Sequence, residues 1–181
     1  MPGTATGKQN GKIHRKEMQK NMAYMKPDPN LDLNTTEGRR EQLRQLLGSR
    51  AQKNSDPRGD IEVLQPQFIE YTDDDELVVE IPVRPWQVNG IDQVQGGVLA
   101  YMIDCVFGPL SFVTSGYNPV GTMDMTTNYL RPIVLTDNDR ITIRARIVTN
   151  SRRVMYAEAK LYNSAGKLAV TASTNIIKIG V

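Results

Sequence analysis

The apolar positions of this chain change period along its length. In residues 33–48 the leucines fall at Leu43, Leu46 and Leu47, the i, i+3, i+4 spacing of one helical face. Thr35 or Thr36 is placed to cap that helix, Glu37 and Glu41 lie near its positive end, and Gly48 is a natural stop. From residue 61 the pattern becomes that of strands. Residues 68–71 and 77–83 flank the acidic turn Asp73-Asp74-Asp75 and read as a hairpin. Residues 96–113 are apolar on every side except at Asp104, which predicts a helix inside a core, broken at Gly108-Pro109. Four more strand-like stretches follow, near 121–131, 140–149, 153–163 and 167–178, with turn-like residues between them. Six strands and one apolar helix predict an α+β domain in which a sheet wraps the helix.

The organisation that follows is a flexible basic tail over 1–32, with a short helix near 15–25. An N-terminal helix and polar linker occupy 33–60, and the main domain 61–181. Charge divides along the same line. Residues 1–60 hold 12 Lys and Arg against 7 Asp and Glu, whereas the rest hold 10 against 13. The folded part is therefore mildly acidic, and nucleic acid is not an expected partner. A membrane span is not expected either, since inserting Asp104 at mid-helix costs about 2.5–3.5 kcal/mol. The N-terminus has no signal-peptide pattern, and a cytoplasmic location is the expectation.

The chain has one histidine, His14, and one cysteine, Cys105. No intramolecular disulfide and no Cys/His zinc site can be built from these, so no metal is expected. Hydrolases with an imidazole base need a histidine beside the nucleophile, and His14 lies in the tail. Carboxylates, hydroxyls, amides and backbone N–H groups must then carry any chemistry.

Asp104 is the first candidate. An acid in an apolar helix pays for desolvation unless it is hydrogen-bonded, paired or beside a polar cavity. It either bonds a backbone group, a hydroxyl or a neighbouring subunit, or lines a substrate slot. Gly96-Gly97 at the helix start either makes a tight turn or offers unpaired first-turn N–H groups to a carbonyl. Gly96 and Asp104 are two turns apart, about 12 Å at 1.5 Å per residue. That is too far to act on one carbonyl within one chain. A two-fold dimer would bring Gly96 of one subunit to Asp104 of the other.

Asn89, Gly90, Gln95-Gly96-Gly97, Asp104 and the segment Gly121-Thr-Met-Asp-Met-Thr-Thr-Asn-Tyr-Leu-Arg-Pro132 resemble hotdog-fold acyl-CoA thioesterases, in the branch that includes the phenylacetate-pathway enzymes. The resemblance covers about 61–180. It implies an antiparallel sheet wrapped around a central helix, preceded here by an N-terminal helical extension. It also implies dimers with a continuous sheet, often paired into tetramers, and hydrolysis of an acyl-CoA to free acid and coenzyme A. The catalytic carboxylate falls on Asp104, as nucleophile or general base. The carbonyl-binding N–H falls on Gly96, beside Gly97, and Asn89 would orient the water or thioester. A hydroxyl of the site falls on Thr122. Arg131, Arg152 and Arg153 are candidates for contact with coenzyme A, or are ordinary solvated turn residues. Relatives commonly carry His where this chain has Gln95. Glutamine keeps hydrogen-bonding capacity but cannot ionise near neutral pH. A non-catalytic acyl-CoA binder is the alternative. No cofactor is implied, since coenzyme A belongs to the substrate. Met102, Phe107, Phe112, Met123 and Met125 either line an acyl pocket or, as is usual for such residues, fill the core.

Overall fold

A computed structural model of the chain describes residues 27–52, 63–137 and 139–180. His14, the expected helix near 15–25 and the linker after residue 52 lie outside them. The first helix, α1, spans Thr36–Gln52. Thr35 caps it, its hydroxyl accepting the Gly38 N–H at 3.0 Å. Its apolar face, Leu43, Leu46 and Leu47, is buried in the same core as the sheet. The helix does not stop at Gly48. That glycine is exposed mid-helix, where it costs only about 1 kcal/mol against alanine, and the leucine face just before it holds the turn in place. Polar contacts fix the other side. Arg39 pairs with Asp75 at 2.7 Å, while Arg40 pairs with Asp73 at 2.7 Å and donates to the Tyr71 carbonyl at 2.7 Å.

The hairpin is present as β1 (Gln67–Tyr71) and β2 (Glu76–Pro82). The remaining strands are β3 (Val120–Thr122), β4 (Thr126–Tyr129), β5 (Arg140–Asn150), β6 (Val154–Tyr162) and β7 (Leu168–Lys178). All pair antiparallel in the order β1-β2-β5-β6-β7-β3, with β4 also on β7. Sequence alternation predicted one strand where the structure has β3 and β4. The break comes from Asp124. Its carboxylate accepts the Asn175 N–H at 3.0 Å and side-chain amide at 2.9 Å, and its carbonyl accepts the Thr174 hydroxyl. These bonds replace the regular ladder between the two short strands.

Strand alternation sorts the two faces of the sheet. One inner row reads Leu77, Ala145, Ala159, Ala172, Thr127 across β2, β5, β6, β7 and β4. The next outer row reads Glu76, Arg146, Glu158, Ser173, Thr126. Three successive alanines lower the inner surface and leave room for the second helix, α2, over Gly96–Thr114. Leu99, Met102, Ile103, Val106, Phe107 and Leu110 of α2 fill the sheet's hollow. By length and composition alone α2 could cross a membrane, but these side chains are spent on the core. Pro109 was expected to end this helix and instead lies buried inside it. Gly108 has no Cβ for the following proline ring to crowd. Ser111 Oγ bonds back to the carbonyls of Phe107 at 2.7 Å and Gly108 at 3.0 Å, contacts that go with a bend of the helix at the proline.

Candidate active site

The approach to α2 is a tight loop. After a 3-10 turn at Pro85–Gln87, the buried Gln87 side chain accepts the Arg84 N–H at 2.8 Å and donates to the Pro82 carbonyl at 3.3 Å. Asn89 closes the next turn. Its Oδ1 accepts the N–H groups of Ile91 at 3.0 Å and Gln93 at 3.1 Å. The Asn89 amide NH2 has no acceptor among the described residues and is free to donate to a ligand. Gln95 is the residue before the helix, and its side chain lies 3.4 Å from the Val88 carbonyl. It holds the loop, and among the described residues no hydrogen bond joins its side chain to the other candidates.

A cavity of about 430 Å³ opens at this end of α2. Asn89, Gly96, Tyr129 and Arg131 give it polar groups, and Leu99 and Ile133 are among its apolar walls. The first-turn N–H groups of Gly96 and Gly97 have no acceptor one turn back in the helix, and they sit at its positive end. Gly97 is exposed, with open space where a side chain would be. Arg131 is pinned by a 2.6 Å bond from its guanidinium to the Leu168 carbonyl.

Asp104 and Thr122 form a second cluster. The Thr122 hydroxyl donates to Asp104 Oδ1 at 2.9 Å, across 18 residues of sequence. The other carboxylate oxygen has no donor among the described residues. Asp104 is half-buried on a strip of α2 that also carries Gly97, Tyr101, Cys105 and Gly108. Thr122 stands on β3, at an edge of the sheet. Nearby, the hydrogen bonds from the Asn175 amide and backbone N–H hold the Asp124 carboxyl below its ordinary range.

The structure therefore gathers the candidates into two half-sites along one helix: Asn89, Gly96 and Arg131 at the cavity, and Asp104 with Thr122 two turns on. Arg152 and Arg153 join neither. They lie in the β5–β6 turn, which meets the far end of α2 where Asn150 bonds the Thr114 carbonyl at 3.4 Å. Met102, Phe107 and Phe112 are buried in the core, the more usual of the two places open to them, and neither they nor Met123 and Met125 line the cavity. Cys105 is half-buried against the core.

Tyr129 is the residue that sequence reasoning missed. Its hydroxyl donates to the Gly96 carbonyl at 2.8 Å and accepts from Thr127 Oγ1 at 3.1 Å. A Cβ on Gly96 would lie 3.1 Å from the Tyr129 ring. The signal available was a Thr-x-Tyr pair with both side chains on the inner face.

The family model for the acyl-CoA thioesterase C-terminal domain matches residues 35–174, a span that takes in α1. No curated protein sequence is significantly similar to the chain. Solved structures are. A thioesterase from Haemophilus influenzae superposes with a TM-score of 0.63 at 18% identity, over 77% of this chain and 89% of its own. The PaaI protein of the Escherichia coli phenylacetic acid degradation operon gives 0.62 at 18%, over 76% and 96%. A hypothetical thioesterase of Streptococcus pneumoniae, solved with coenzyme A, gives 0.59 at 21%, over 66% and 91%. These likenesses establish the hotdog fold: a curled antiparallel sheet around a helix.

Proposed function

The chain belongs to the acyl-CoA thioesterase family, and on that premise we propose that it hydrolyses an acyl-CoA at a site divided between two protomers. The observation that carries this reading is the placing of Asp104 with Thr122 on the sheet edge, about 12 Å along the helix from the N–H groups of Gly96 and Gly97. No single carbonyl reaches both within one chain. The β3–β4 edge has no partner strand among the described residues, and it exposes Met123 and Leu130. Bare apolar edges of this kind invite pairing. A two-fold axis perpendicular to the sheet at that edge would pair the strands antiparallel and set Asp104 and Thr122 of one protomer against the cavity of the other. Two such dimers associating as a tetramer would leave the same sites intact.

In this reading the thioester oxygen is received by the Gly96 N–H at the positive end of α2, which stabilises the developing oxyanion. Asn89 donates its free amide hydrogens to the thioester or to water. The Asp104 carboxylate has two routes. It attacks the carbonyl carbon, expelling coenzyme A thiolate and leaving a mixed anhydride that water opens. Otherwise it takes a proton from a water that attacks directly. Either way the carbon–sulfur bond breaks, a carbon–oxygen bond forms, and the thiolate takes up a proton. Label in Asp104 after a single turnover in ¹⁸O-water identifies the first route, with water opening the anhydride at the aspartyl carbon. Arg131, at the cavity mouth, suits a phosphate of coenzyme A. Arg152 and Arg153 could meet the substrate only by way of the assembled oligomer.

The second reading is an acyl-CoA binder without turnover. It is favoured by Gln95, whose side chain bonds the loop and cannot ionise. Release of free thiol from short, medium, long and aromatic acyl-CoAs, with calorimetry alongside, decides between the two. Turnover supports the enzyme; saturable binding with no thiol supports the binder. Mixing Asp104→Asn subunits with Asn89→Ala subunits tests the shared site. Random pairing restores about a quarter of wild-type activity if each site draws on both protomers, and none if it does not.

A further inference from the structure

We infer that Tyr129 is a positioning residue that fixes the first turn of α2, where the Gly96 N–H meets the carbonyl, with Thr127 as its support; this rests on the thioesterase reading above. Gly96 and Gly97 are consecutive glycines in an unpaired first turn, where the backbone has the most freedom to move. A donor array for an oxyanion needs the opposite, a fixed orientation before the substrate arrives. Tyr129 supplies it. The Gly96 carbonyl and the Gly97 N–H belong to one peptide unit, and the carbonyl takes the Tyr129 hydroxyl at 2.8 Å. That bond holds the peptide plane. Fixing that plane fixes the backbone of Gly96, whose own N–H receives the oxyanion, and it polarises the adjacent Gly97 N–H.

The proton order in the chain is forced. The Gly96 carbonyl can only accept, so Tyr129 donates to it and keeps a lone pair for the Thr127 hydroxyl, 3.1 Å away. Packing points the same way. The Tyr129 ring lies where a Cβ of Gly96 would come within 3.1 Å, so the ring and the missing side chain fit each other. Tyr129 also lines the cavity, which places this relay at the site and not behind it.

The test is steady-state kinetics of Tyr129→Phe and Thr127→Val on whichever acyl-CoA the wild type turns over, with thermal unfolding of each. Tyr129→Phe keeps the ring and loses the donor. It should lower kcat about tenfold with KM unchanged, and lower the unfolding midpoint by no more than the loss of that one exposed hydrogen bond. Thr127→Val should give a smaller loss in kcat, and Thr127→Ser should restore it. Wild-type kcat in Tyr129→Phe overturns the inference, as does a change confined to KM, which would make the tyrosine a wall of the cavity only. A wild type that releases no thiol overturns the thioesterase reading itself, and that outcome is read without any variant.

Discussion

Gly96→Ala separates the stability of the helix start from its function. The added Cβ would stand 3.1 Å from Tyr129 Cζ, 3.3 Å from its hydroxyl oxygen and 3.4 Å from Cε1. The ring must yield by a few tenths of an ångström. It is half exposed, so it can swing outward. Doing so stretches the 2.8 Å bond to the Gly96 carbonyl. Two stability terms then oppose each other. Alanine is favoured over glycine in a helix by up to about 1 kcal/mol, and the weakened hydrogen bond costs about 0.5–1.5 kcal/mol. The net change in unfolding free energy is expected to stay within about 1 kcal/mol of zero. The methyl group also stands beside the N–H that would receive the thioester oxygen. Displacing one such donor costs on the order of 10²-fold in kcat. Urea denaturation and thiol release on the same preparation read both quantities. An active variant with wild-type kcat would refute the role of this backbone group. A loss of several kcal/mol would refute the packing argument.

Further outcomes concern the clamp between α1 and the hairpin. Leu43 is fully buried in the common core, so Leu43→Ala should lose about 2–5 kcal/mol by chemical denaturation in one transition; a separate early transition would show that α1 folds apart from the sheet. Burial pushes the Asp75 carboxyl up, but hydrogen bonding and charge from Arg39, with the Thr36 hydroxyl, outweigh it and hold it below its ordinary value. A depressed carboxyl adds stability above its unfolded pKa of about 4 and loses that stability as pH falls through the folded value. The urea midpoint of Asp75→Asn should therefore fall less between pH 7 and pH 3 than that of the wild type, and parallel curves would contradict the pairing. Arg131→Ala should raise KM for acyl-CoA with little change in kcat, and an unchanged KM would remove the arginine from substrate binding.

The legible parts of the fold were those set by local pattern. The alternation of Leu77, Val79 and Ile81 and the leucine spacing of α1 are properties of neighbouring residues, and they fixed element type. Misreadings arose where a distant group decided. Asp124 splits a strand because it bonds Asn175, 51 residues on. Pro109 stays inside α2 because Gly108 and Ser111 accommodate it and the sheet surrounds it. The site followed the same rule. Asp104 stood out as the one charge in an apolar run, and Thr122 and Gly96 came with the motif that resembled a known family. Tyr129 carried no such mark. Its part depends on a glycine 33 residues earlier in the chain, and tyrosine in a strand is unremarked until the fold brings the two together. Met102, Phe107 and Phe112 show the reverse. Their chemistry suits a pocket as well as a core, and only packing assigns them to the core.

The proposed role of the Asp104 carboxylate is thioester hydrolysis. It is tested most directly by thiol release from saturating acyl-CoA with wild type and Asp104→Asn side by side. Asparagine preserves the size of the side chain and can still accept the Thr122 hydrogen bond at its oxygen, but it neither attacks as a carboxylate nor takes a proton. A fall in kcat of about 10²–10⁴-fold is expected, with the fold intact. An Asp104→Asn protein that turns over as fast as the wild type would contradict that role.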